Sequence, residues 1–128
     1  MKNQVSQERL LFIHIGKLMY AISASDNIIR EEEFEILKTI LKEEWHPQSI
    51  EEFDTIILEI FENAMKNKHN ADQSFQEFLT FRSNNKYLFT IEITDLIFNT
   101  ARLIASSYAS KNKSELIMLA KLNMALNA

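Results

Sequence analysis

Glycine and proline occur once each in the 128 residues, at Gly16 and Pro47. Sheet-rich folds reverse direction through tight turns, and those turns draw heavily on both residues. A chain this poor in them has to fold as helices joined by short polar connections. The length suits one domain spanning residues 1–128, with a core of its own.

The apolar spacing bears this out segment by segment. Leu11, Ile15, Leu18 and Ile22 recur at helical period and predict a well-buried first helix from about Val5 to Ala24. Gly16 lies in its middle, where it costs about 1 kcal/mol against alanine, so close approach of another helix is expected. Phe34, Leu37, Leu41 and Trp45 predict a second helix from Arg30 or Glu31 to Glu44, ended by Pro47. Ser49-x-x-Glu52 has the form of a capping box opening a third helix to about Lys66. A shorter helix is expected over residues 72–82, and a long central one over 90–109, starting as early as Tyr87. Ser114 is expected to cap a last helix ending near Leu126. Its core set reads as Leu116, Leu119, Ala120, Leu122 and Met124, with Met19, Met65 and Met118 also as core filling.

Charge is unevenly spread. Residues 31–62 hold eleven acids against Lys38 and Lys42, while the net charge of the whole chain is −4. Nucleic-acid binding rests on neutralising phosphates, so an acidic middle argues against it. Attraction of cations or of a basic protein fits, and so does a simple solvated face. There is no cysteine, which excludes disulfides, thiolate zinc sites and cysteine nucleophiles. No signal peptide and no apolar run of membrane-spanning length is visible, so a cytoplasmic location without a membrane span is the default expectation. Only one Glu-x-x-His occurs, Glu43-x-x-His46, whereas di-metal bundles use one on each of two helices. A metal-dependent hydrolase is therefore the least favoured reading. His14 reads as a hydrogen-bonded core histidine rather than a ligand.

The most distinctive stretch is the turn after the first helix, Ser23-Ala24-Ser25-Asp26-Asn27, followed by Glu31, Glu32 and Glu33. A second copy stands at Ala109-Ser110-Lys111-Asn112, and Glu33-Phe34 then aligns with Glu115-Leu116. Two hairpins of this kind predict an all-α bundle of about six helices with a pseudo-twofold repeat.

Asp26, Ile29 and Glu33 stand where the tellurite-resistance TerB-like family has its acidic turn signature, and here the chain resembles that family. Ser25 and Asn27 replace the family's alanine and glycine, and Lys111 replaces the aspartate in the second copy. The resemblance implies a non-enzymatic helical module linked to stress or tellurite resistance. It would act on a protein partner, in a membrane-associated complex, with room for a homodimer. It also implies an alternative, a calcium- or magnesium-type cation held through Asp26 and Glu33. A hard cation would want several oxygens from this turn. The plainer reading is that Asp26 bonds the turn's own amides and Glu33 caps the second helix.

Overall fold

The computed structural model describes residues 6–26, 31–45, 52–106 and 113–128. Among these residues lie six α-helices and no strand: α1 (Gln7–Ser23), α2 (Glu31–Glu44), α3 (Phe53–Asn67), α4 (Ala71–Asn84), α5 (Ile91–Ala105) and α6 (Lys113–Leu126). The all-α expectation holds. Asn27, Ile29, His46, Pro47, Ser49, Lys111 and Asn112, on which several expectations rest, lie outside the described residues.

Among the described residues, three helices begin at side-chain caps. Ser6 accepts from the Arg9 amide at 3.0 Å, Asn70 from Gln73 at 2.8 Å and Thr90 from Ile93 at 3.2 Å. Each cap satisfies an amide that the helix leaves without a partner, worth about 1 kcal/mol. Ser49, the expected cap of α3, lies outside the described residues. The helix begins at Phe53, and Glu52, just before it, makes no side-chain cap bond. α5 starts next to Thr90 as expected, the earlier start at Tyr87 being taken up by a separate 3-10 turn, Lys86–Leu88, and it ends at Ala105, short of the expected residue 109.

α1 is the axis of the bundle. It packs against α3 and α4 and also touches α5 and α6. Ile15, Leu18, Met19 and Ile22 are fully buried, which is why apolar residues occupy more than one of its faces. Gly16 lets α3 come close. A Cβ at this position would lie 2.8 Å from Ile60 Cβ and 2.9 Å from the Ile57 carbonyl oxygen. Where α1 and α3 meet α2, Phe61 sits edge-on to Tyr20 at 6.0 Å and tilted against Phe34 at 5.8 Å. On the far side, Trp45 is buried between α3 and α5. Its indole N–H donates to Thr100 Oγ1 at 2.9 Å, and its ring stacks on Phe53 at 6.0 Å.

α6 departs from its expected face. Met118, Leu122 and Leu126 are its buried apolar residues, together with Glu115, whereas Leu116 and Met124 are 52% and 72% exposed. The helix is apolar nearly all round, so spacing alone could not choose the inner stripe. Its last turn is held by Arg82 of α4, which donates to the Leu126 carbonyl at 3.1 Å and lies over the Phe89 ring at 5.6 Å.

Candidate functional site

Two places carry chemistry, and the acidic turn is the one the sequence picks out. Asp26 follows the end of α1 and is half-buried. Glu33 stands in the first turn of α2 and is 1% exposed. The Ser23 hydroxyl, from the last residue of α1, donates to Glu33 Oε1. That bond runs from the last residue of α1 to the first turn of α2. It ties α1 to α2 as well as suiting the positive end of the α2 dipole. Glu115, in the first turn of α6, is 2% exposed. Buried carboxylates are rare and need hydrogen bonds or charge partners. Among the described residues these two are the buried ones, and they are the pair that the two turn copies place in register.

Among the described residues no three His, Cys, Asp or Glu side chains converge as a metal-holding group. No helix among them is long and apolar enough to cross a membrane.

The second place is a trough between α1 and α4. The C-terminus of α3 prepares one end of it. Lys68 takes the left-handed conformation, φ 51°, and the His69 amide donates back to the Ala64 carbonyl at 3.0 Å. This is a Schellman ending, in which a left-handed residue lets the chain close on the last helical turn. It presents the His69 carbonyl to α1, where the Tyr20 hydroxyl donates to it at 2.8 Å. Burial pushes the Tyr20 phenol up, so it stays protonated as a donor. Asn70 then caps α4 and aims that helix along α1.

The result is two adjoining hollows of about 540 and 300 Å³ that share Lys17, Gln73 and Glu77. Lys17 Nζ donates to Glu77 Oε1 at 2.9 Å, and Gln73 Nε2 donates to Glu77 Oε2 at 3.4 Å. The Lys17 hydrogen bond is the main cause that lowers the Glu77 carboxyl. The pair is partly solvated, so it contributes about 0–1 kcal/mol and can be opened cheaply.

His14 closes one end. Its ring lies flat on Phe81 at 4.2 Å, with 7° between the planes. Nδ1 is 2.9 Å from the Leu10 carbonyl oxygen, which can only accept, so Nδ1 carries the proton. Burial lowers the imidazole's pKa; the Leu10 bond opposes this, Lys17 adds to it and Glu77 opposes it. A neutral ring with a protonated Nδ1 keeps Nε2 as a hydrogen-bond acceptor. His14 is thus hydrogen-bonded as expected, but half-buried at a trough rather than enclosed in the core.

Sequence reasoning passed over the trough. Its one advance signal was on α4. Gln73, Gln76, Thr80 and Asn84 put uncharged hydrogen-bonding groups on a single face, where a merely wet surface would mostly carry charges. No family model, curated protein or solved structure matches this chain.

Proposed function

We propose that the chain is a non-enzymatic helical binding module of the TerB-like type, acting by holding a protein partner. The α1–α4 trough carries this reading. It is ligand-sized and rich in groups that both donate and accept, with a weak ion pair across it. The TerB-like part is supported by Glu33 and Glu115, buried at the matching positions of the two turn copies. A link to tellurite or chemical stress draws its support from the resemblance of the turn alone.

A photo-crosslinking side chain at Gln76, on the trough, tests the reading in the source cells. Glu59, exposed on α3, serves as the control position. Discrete protein adducts are expected at residue 76 and not at 59. The same adducts at both positions, or none at 76, would remove the binding-module reading.

A cation at Asp26 and Glu33 is the competing reading. It would have to reach a carboxylate that is 1% exposed and already takes the Ser23 hydroxyl. Hard cations need several oxygens, and removing Glu33 from its buried bond would cost α1 and α2 their tie. Calorimetric titration of calcium, magnesium and manganese into metal-stripped protein is expected to be flat to about millimolar, the weak end of protein calcium sites. Saturable heat that vanishes in Asp26→Ala would establish the cation site instead.

A further inference from the structure

We propose that the α1–α4 trough binds a segment of partner protein in extended conformation, reading its main chain through the amide-bearing face of α4. The inference rests on the binding-module reading and names its site and ligand class.

The chemistry of the trough selects this ligand by exclusion and by match. A sugar or a nucleobase would want an open aromatic face to stack on. Phe81 is 8% exposed, and His14 already covers its ring. A phosphate would want unopposed positive charge, but Lys17 is paired with Glu77. What the walls do offer is neutral groups that donate and accept together: the amides of Gln73, Gln76 and Asn84, and the Thr80 hydroxyl. A peptide main chain presents the same alternation of N–H and C=O.

The spacing also agrees. Successive turns of a helix are about 5.4 Å apart and positions i and i+4 about 6 Å. Residues i and i+2 of an extended strand are about 6.6 Å apart, and both present their polar main-chain groups to the same side. Gln73, Glu77, Thr80 and Asn84 climb one face at three- or four-residue steps. One turn of α4 therefore meets about two residues of the ligand, and the ladder covers about five. His14 lines the opposite wall. The Lys17–Glu77 pair lies across the middle, so the central ligand residues should be uncharged or small enough to pass it.

The test uses a phage-displayed library of random linear octapeptides selected on the purified full chain. Enriched peptides are resynthesised and their affinity is measured by fluorescence polarisation. The combined variant Gln73→Ala, Gln76→Ala and Asn84→Ala removes exposed side chains only, so its helical circular dichroism should match the parent. It is expected to bind at least about tenfold more weakly, since several main-chain hydrogen bonds are lost. Methylating the peptide's amides one at a time should weaken binding at alternate positions only, the signature of main-chain readout from one side.

Three results would overturn the proposal. One is that no peptide is enriched. Another is that the triple variant binds as well as the parent. The third is that binding is lost in Leu116→Glu with Met124→Glu, which moves the site to the exposed face of α6. The first two outcomes leave the binding-module reading intact where Gln76 still crosslinks; the third takes the partner away from the trough and predicts no adduct at Gln76.

Discussion

Gly16→Ala is expected to destabilise the fold by about 1–3 kcal/mol, the usual cost of forcing a carbon into a packed interior. On an exposed helix the same change would help by about 1 kcal/mol, because alanine propagates a helix better than glycine. Here the added carbon meets Ile60 Cβ at 2.8 Å and the Ile57 carbonyl oxygen at 2.9 Å. The first is branched and the second is main chain in the middle of α3, so neither can turn aside. α1 and α3 have to move apart, and that loosens the central helix from its neighbours. A fall in thermal midpoint of roughly 3–5 °C per kcal/mol would report it for a chain of this size. An unchanged or raised midpoint would show that α3 does not approach as closely as described.

Phe61→Ala should cost more, about 3–5 kcal/mol, as truncation of a buried phenylalanine usually does. Phe61 is fully buried and meets both Tyr20 and Phe34. Its loss opens a hole where α1, α2 and α3 converge, and no single helix can shift to fill it without leaving the others. Against a total stability of about 5–15 kcal/mol for an ordinary domain, this is a large fraction. Urea unfolding should show a lower midpoint with an unchanged slope, since the area exposed on unfolding hardly alters. A loss under about 1.5 kcal/mol would mean the junction repacks. The Tyr20 hydroxyl bond to His69 is a second readout, because a tilted Tyr20 would release the C-terminal turn of α3.

The helices themselves were legible because apolar residues at helical period leave few alternatives. Leu37, Leu41 and Trp45 are all buried as their spacing predicts. Gly16 was legible too, since a glycine that weakens a helix is kept only where a side chain would collide. The inner face of α6 was not legible. With apolar residues at 116, 117, 118, 119 and 120, period cannot rank the faces, and the packing of α5 and the reach of Arg82 choose it. The turn copies put Glu33 beside Glu115, but that both are buried follows from how the helix ends pack, which no spacing shows. The trough was hidden for a different reason. His14 and Lys17 are about sixty positions from Gln73 and Glu77, and each segment alone reads as an ordinary polar face. Only the direction in which Asn70 launches α4 along α1 brings them together.

Trp45 is the sole tryptophan of the chain, is 2% exposed, and has its ring nitrogen tied to Thr100. An indole held away from water emits at shorter wavelength than one in contact with it. The protein therefore carries its own optical gauge of the α2–α3–α5 side, with no competing fluorophore of the same kind. The gauge is not among the residues that line the trough. A ligand entering the trough should leave the emission still, while melting of the bundle should shift it to the red. One excitation wavelength can thus separate occupancy from collapse, sparing any attached dye.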